Sequence, residues 1–398
     1  MNPIRNHARA SAPKEPAGPT ISNGVRKIKL VIATNDFIIG GVQRLIIDTL
    51  THLDRDRFDI YLITLIQFPD TKATFYDRIP PDVKVIKHHF RKFRDVREWF
   101  RLARTLREIK PDVVDASLFF SNTIFTILKP FFGYAIITGE HNSGDAKPYL
   151  MRVVNRVLSP LRFRIVGDSE MVVTFVSETE HIPRSRFTVI YNGVDLKTIE
   201  KEKKEYAHRR DAMRLELGIG RDEFVFLNVS RMVKQKRQEL AVEGFRLFNQ
   251  KNPGYRLVLV GDGPRMGAIQ EQVRAAGLES KIVLAGESTD VHRFYAIADA
   301  FLLTSQREGF CIAGMEGLAF GLPLIATKVG GVVEYLKDGR NGYFISEFTA
   351  EATAEAMEKI VGADLATMSK NAVESAQPYT SERAAAAYEQ LFLRSVGQ

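Results

Sequence analysis

Two glutamates eight residues apart, Glu308 and Glu316 in SQREGFCIAGMEGLAFGLPLIAT, stand where their type and spacing allow chemistry. The apolar run Phe301-Leu302-Leu303 ahead of them reads as a buried strand ending at Thr304-Ser305, and the small-residue stretch from about Cys311 to Phe320 reads as a helix. Gly321-Leu322-Pro323 stops that helix, and Leu324-Ile325-Ala326-Thr327 begins another strand. Strand, glycine-containing turn and helix aim backbone N–H groups and a helix dipole at the strand's carboxyl end, where anions bind in open α/β sheets. Two carboxylates there would repel a bare phosphate. The ligand must therefore carry hydroxyls as well as phosphates, as a sugar nucleotide does. Glu316 lies among Gly314, Met315, Gly317 and Leu318, and a carboxylate with small and apolar neighbours needs a partner.

Three further segments fall at expected strand ends. In Val229-Ser230-Arg231-Met232-Val233-Lys234-Gln235-Lys236-Arg237, Arg231 can clamp a diphosphate with its planar fork and Lys236 can act on it as a point charge. In Ile38-Ile39-Gly40-Gly41-Val42-Gln43-Arg44, adjacent glycines let the backbone approach a ligand. In Thr138-Gly139-Glu140-His141-Asn142, His141 can hydrogen-bond a substrate hydroxyl. Charge runs are ordinarily solvated faces, and a Gly-Gly pair or a single histidine is ordinarily structural. Position at strand ends is what singles these out. No His or Asp/Glu cluster near His141 has metal-ligand spacing, and no metal is expected.

The elements that must carry these loops alternate. Strands are expected at Ile28–Ala33, Phe58–Leu65, Val83–Ile86, Val113–Ala116, Ala135–Thr138 and Arg164–Gly167, with helices from Gly40-Gly41 to about Leu53 and from Asp95 to Lys110. The pattern restarts with strands at Phe224–Val229, Arg256–Val260, Ile282–Leu284 and Phe301–Leu303 and a helix over Gln238–Asn249. The charged stretch Glu200–Arg210 is expected at or beside a linker. Repeated β-α alternation implies two tandem Rossmann-like domains, doubly wound, with a cleft between them. The expected division is a disordered basic tail over 1–25, an N-terminal domain over 26–190 and a C-terminal domain over 191–380. A last helix over 381–398 could pack in either domain.

At 398 residues and 45% hydrophobic, the chain is long enough for two domains of ordinary size. No apolar run approaches the ~20 residues that span a bilayer, and the N-terminus lacks the apolar core of a signal peptide. The one cysteine, Cys311, excludes an internal disulfide framework and a Cys-based zinc site, so a cytoplasmic setting is expected. The net charge of +8 is uneven: residues 26–190 hold 26 Lys+Arg against 19 Asp+Glu, whereas residues 191–398 come to −1. The N-terminal half therefore faces something anionic or is a plain basic surface.

Taken together, these segments resemble the retaining GT-B glycosyltransferases of the family-four group, the glycosyl transferases group 1. The resemblance runs from about Ile28 to Phe344 and is strongest from Phe187 onward: FTVIYNGVD, NVSRMVKQKRQELAVEGF, LVGDGP, IVLAGE and FLLTSQREGFCIAGMEGLAFGLPLIATKVGGVVE match in order and spacing. It implies a nucleotide-sugar donor, UDP-linked by expectation, a glycan or lipid-linked acceptor, retention at the anomeric carbon and no required metal or other cofactor. It also implies roles. Glu308 would hold a donor-sugar hydroxyl and Glu316 the ribose. Backbone N–H groups around Gly309, Phe310 and Cys311 would meet phosphate, and Arg231 and Lys236 would neutralise the leaving diphosphate. His141 would lie near the donor sugar, Gly40-Gly41 would contact phosphate, and Gly286 would frame the base. Arg237 stands where a glycine is frequent, and Cys311 where a small residue is.

The acceptor side falls to the basic half. From Lys84 to Lys110 there are ten Lys/Arg against three Asp/Glu. Val96, Trp99, Phe100, Ala103, Leu106 and Ile109 follow helical spacing with Arg97, Arg101, Arg104 and Arg107 around them, preceded by KHHFRKF. Such a stripe packs under a crossover helix, whereas its cationic, aromatic rim suits an anionic membrane surface at the inner face of the plasma membrane. Two other readings are a nucleotide-sugar epimerase of the same fold and a nucleic-acid-binding module. The cation and glutamate set favours transfer over the first, and no recognised motif supports the second.

Overall fold

The computed structural model describes residues 21–22, 25–68, 74–141 and 147–398. The expected N-terminal tail, together with Asn142, lies mostly or wholly outside them.

Seven strands form the first sheet: β1 (Ile28–Thr34), β2 (Phe58–Thr64), β3 (Lys84–Lys87), β4 (Val113–Ser117), β5 (Ala135–Glu140), β6 (Arg164–Gly167) and β7 (Phe187–Val189). All pairs are parallel, in the order β3-β2-β1-β4-β5-β6-β7. Six strands form the second: β8 (Phe224–Val229), β9 (Tyr255–Val260), β10 (Ile282–Gly286), β11 (Ala300–Leu303), β12 (Leu324–Thr327) and β13 (Gly342–Ile345), in the order β10-β9-β8-β11-β12-β13, again parallel. Strand order reverses between β1 and β4 in the first sheet and between β8 and β11 in the second. Ligands bind at such reversals, beyond the strands' carboxyl ends. The loops bearing Gly40-Gly41, Lys236 and Glu308 all start there.

Each sheet is covered on both faces. Leu30, Ile32, Ile60 and Leu62 pack toward the helix Gly41–His52, while Val31, Ala33, Val114 and Ile136 pack toward the helices Val96–Ile109 and Phe119–Phe132. The helix Phe119–Phe132 escapes sequence reading. It carries Pro130 and starts after Leu118 at φ 75 with no side-chain cap, so no start signal marks it, and its polar Ser121, Asn122, Thr123 and Thr126 are buried.

The charged stretch expected at or beside a linker follows directly on Val194 and is helical, Leu196–Ala207, capped by Asp195, which accepts from the Thr198 N–H at 2.9 Å. The apolar stripe of Val96–Ile109 splits. Leu106 and Ile109 turn inward with Leu102, whereas Phe100 remains 73% exposed and Val96 is exposed beside it.

The chain crosses between domains twice, and the crossings touch. Val194 N–H donates to the Tyr379 carbonyl and Ser381 N–H to the Val194 carbonyl, both at 3.1 Å. Gly193 lies so close to the Thr380 backbone that a β-carbon would collide with it, which is why a glycine stands in the NGVD segment. After the second crossing the helix Ser381–Ser395 packs on Gly41–His52, placing Tyr388, Leu391, Phe392 and Leu393 in the first domain's core.

Candidate active site

Lys236 and Glu308 come together across the second sheet's reversal point. A single turn, Lys234–Lys236, follows β8, and Arg237 closes it in the left-handed region at φ 49. The loop keeps the backbone shape a glycine would favour although an arginine stands there, and the Arg237 guanidinium lies over the Phe348 ring. Thr304 donates its hydroxyl to the Arg237 carbonyl at 2.9 Å, Gln306 N–H reaches the Gln235 carbonyl at 2.8 Å, and the Gln235 side-chain amide reaches the Arg307 carbonyl at 2.8 Å. So stitched, the two loops set Lys236 Nζ 2.6 Å from Glu308 Oε1 and 2.9 Å from Oε2. Burial works against the ammonium, but Glu308 outweighs it and holds the Lys236 pKa above the ordinary lysine range. Arg231 stands exposed on the same wall and makes no salt bridge among the described residues.

Just beyond Glu308, Gly309, Phe310 and Cys311 line the cleft. The Phe310 ring is buried among Tyr191, Tyr335 and Tyr379, with centroids 5.8, 5.3 and 5.1 Å away. Cys311 precedes the helix Ile312–Phe320 in the left-handed region at φ 62 and gives it no side-chain cap. The helix's first N–H groups thus have no intrahelical acceptor and point toward the cleft side. Burial, then the Glu308 charge, push the Cys311 thiol up to about 12, so it is a protonated packing group. Gly331 N–H braces the turn by donating to the Gly309 carbonyl at 2.6 Å.

Glu316 is almost wholly buried, and partners unseen in the sequence hold it. Tyr295 Oη donates to Oε2 at 3.1 Å, and His292 Nε2 lies 3.4 Å from Oε1. Glu202, from the charged helix Leu196–Ala207, takes the other ring nitrogen, Nδ1. Burial opposes ionisation of Glu316, yet His292, then the charge of Arg44 across the cleft, and Tyr295 hold its pKa below the usual carboxylate range. Burial likewise opposes the His292 charge, but Glu316 and Glu202 raise its pKa. No spacing in the sequence points to His292. Arg44 stood in the quoted glycine loop without a role, and here it pairs with Asp48 at 3.3 Å.

From the first domain, Gly40 and Gly41 reach the cleft ahead of the helix Gly41–His52, and Gly41 faces open space. His141 follows β5. Its ring folds back over Gly139, with Nε2 3.4 Å from Ser117 Oγ, and Nδ1 lies 3.7 Å from Asp168 Oδ2. Asp168, just beyond β6, was legible by the same strand-end rule and was missed. Together these residues line a cleft of about 570 Å³ reaching from Gly40 and Arg44 on one side to Arg231, Lys236, Glu308 and Glu316 on the other. Gly286 stands one residue behind the wall. Its carbonyl accepts from Gly261 N–H at 2.7 Å, and Glu287, Ser288 and Thr289 line the cleft instead.

Two Rossmann-like domains facing each other across a cleft with the sites at their strand ends define the GT-B class of fold. Family models agree: Glycosyltransferase Family 4 matches residues 39–198, and Glycosyl transferases group 1 matches residues 209–377. The chain belongs to the group 1 glycosyltransferases. It is 26% identical to an alpha-monoglucosyldiacylglycerol synthase of Acholeplasma laidlawii over 89% of this chain and 94% of that one. It is 23% identical to the UDP-Gal:alpha-D-GlcNAc-diphosphoundecaprenol alpha-1,3-galactosyltransferase of Escherichia coli over 87% and 91% of the two chains. Among solved structures, Anabaena HepE in complex with UDP shares the fold with a TM-score of 0.76 at 19% identity, over 92% of this chain and 100% of that one.

Proposed function

We propose that the protein transfers a sugar from a UDP-sugar to a lipid-linked or glycan acceptor, with retention at the anomeric carbon and without a divalent metal. The Lys236–Glu308 pair at the second reversal point carries this reading: a cation for a leaving diphosphate beside a carboxylate for a sugar hydroxyl. Arg231, Lys236 and the N-terminus of Ile312–Phe320 supply positive charge where the diphosphate would lie, and Glu316 is poised for the ribose. The C1–O bond to the diphosphate breaks with its electron pair passing to the phosphate oxygen. The acceptor oxygen bonds C1 on the same face, and its proton passes to the departing diphosphate. Preorganised cations stabilise the charge as it grows there. The two relatives named, by their names, make a monoglucosyldiacylglycerol and transfer galactose to a GlcNAc-diphosphoundecaprenol, which supports an amphiphilic acceptor. Radiolabelled transfer from UDP-hexoses to lipid extracts in excess EDTA is expected to proceed. Loss of transfer on chelation would sink the metal-free assignment, and conversion of the nucleotide sugar without acceptor would replace transfer by epimerisation.

The acceptor is reached from the inner face of an anionic membrane. No helix among the described residues is long and apolar enough to cross one. Eleven of the thirteen large apolar side chains exposed among the described residues lie between Phe68 and Met171, in the basic half. Val96, Trp99, Phe100 and Ala103 line a shallow apolar groove with Leu128, and the exposed Arg97, Arg101 and Arg104 lie along one flank of the same helix. A basic residue near an anionic leaflet adds about 1 kcal/mol, less for Arg101 and Arg104, which pair with Glu98 and Glu108. Vesicles containing phosphatidylglycerol are expected to sediment the protein, and Phe100→Ser to weaken this with UDP binding unchanged. Equal sedimentation with uncharged vesicles would count against the docking face.

A further inference from the structure

We propose that Asp168, braced by Asn192 and flanked by His141, forms the subsite that grips hydroxyls of the transferred sugar and selects the hexose. This rests on the cleft being the donor site. Asp168 is 2% exposed and Asn192 6%, yet both line the cleft. Asp168 Oδ1, Asn192 Oδ1 and His141 Nδ1 have no hydrogen-bond partner among the described residues. The contacts within the group are long: Asn192 Nδ2 to Asp168 Oδ2 at 3.5 Å and His141 Nδ1 to the same oxygen at 3.7 Å. Buried polar atoms without partners cost about 1–3 kcal/mol each, so three on one wall mark a place for a polar ligand group.

The atoms left over define its chemistry. Both oxygens can only accept, and a carboxylate repels phosphate, so the complementary group donates hydrogen bonds. A sugar hydroxyl does so. Position ties the subsite to the donor. Gly309 passes so close to Asp168 Oδ2 and the His141 carbonyl that a β-carbon there would collide with both. Asp168 therefore lies against the Gly309 backbone, one residue along the chain from Glu308. A hexose held by both carboxylates loses one of these contacts when the configuration at one hydroxyl changes.

The test compares UDP with UDP-glucose, UDP-galactose, UDP-N-acetylglucosamine, GDP-mannose and ADP-glucose, by calorimetry and by transfer kinetics, in the wild type and in the near-isosteric Asp168→Asn. UDP affinity is expected to hold, which also reports correct folding. The preferred nucleotide sugar should lose about tenfold or more in kcat/KM, and the ranking of hexoses should flatten. Should Asp168→Asn fail to fold, Asn192→Ala, which removes the brace and one acceptor of the same subsite, reads the same flattening. A wild-type ranking retained in the variant would overturn this assignment alone and leave a water-filled floor. A wild type that binds no nucleotide sugar would overturn the donor reading and the assignment with it.

Discussion

Lys236→Met is expected to lower kcat by about 10²–10³-fold at saturating donor, the cost of removing one preorganised charge from the site where negative charge develops. Lys236 is most of the way out of solvent, its pKa is held up by Glu308, and the Thr304 and Gln235 hydrogen bonds fix its loop. It needs no reorganisation when the diphosphate departs. Arg231→Met should cost less, because an exposed guanidinium is screened and hydrated before and after the reaction. A stability effect must be separated from the catalytic one. Losing Lys236 takes a cation away from a buried carboxylate, so the melting temperature should fall as well. In Lys236→Met with Glu308→Gln the carboxylate charge is gone too, and stability should recover while turnover does not. Contacting residues do not add, so the double variant should lose less than the product of the single losses. Steady-state kinetics and thermal unfolding on the four proteins decide it. Wild-type kcat in Lys236→Met would remove the lysine from the chemistry.

The strand-end rule carried the sequence reading far, since every residue singled out for the site except Gly286 lines the cleft. Residue type with local position was enough for Glu308, Lys236 and Arg231. Partnerships were not legible, because they join distant segments: Lys236 to Glu308 across 72 residues and Glu202 to His292 across 90. Helical spacing marked the stripe beginning at Val96, but periodicity does not say which members a neighbouring element covers, and Phe100 is left bare. Gly193 stands in a segment legible by resemblance, but its reason is distant in the chain: the second crossing, at Thr380, passes against it. The helical form of the Glu200–Arg210 stretch was not legible for a physical reason: a helix that touches the core only along a narrow edge, with Ile199 its one buried residue, carries little apolar period.

Glu316→Gln is expected to raise the donor KM by roughly 10- to 100-fold with kcat little changed, the loss of a charged hydrogen-bond acceptor for the ribose. The carboxylate has room for this role. Each oxygen takes one protein contact, from His292 and from Tyr295, and about four lone-pair sites leave space for two ribose hydroxyls. His292 then acts by positioning, and pH exposes it. The Glu316 pKa is lowered from its ordinary 4.5, so its contribution to stability is full above that pH and is lost as pH falls through the folded value. The His292 pKa is raised from 6.5, so its contribution is full below that pH and is lost as pH rises through the folded value. Both act together between pH 4.5 and 6.5. There the melting temperature of the wild type should exceed that of His292→Gln by most, with the gap closing toward alkaline pH. Donor KM in His292→Gln should rise less than in Glu316→Gln, because the carboxylate survives with one restraint fewer. A gap that does not vary with pH would make His292 a neutral packing residue, and an unchanged donor KM in Glu316→Gln would take the ribose away from this glutamate.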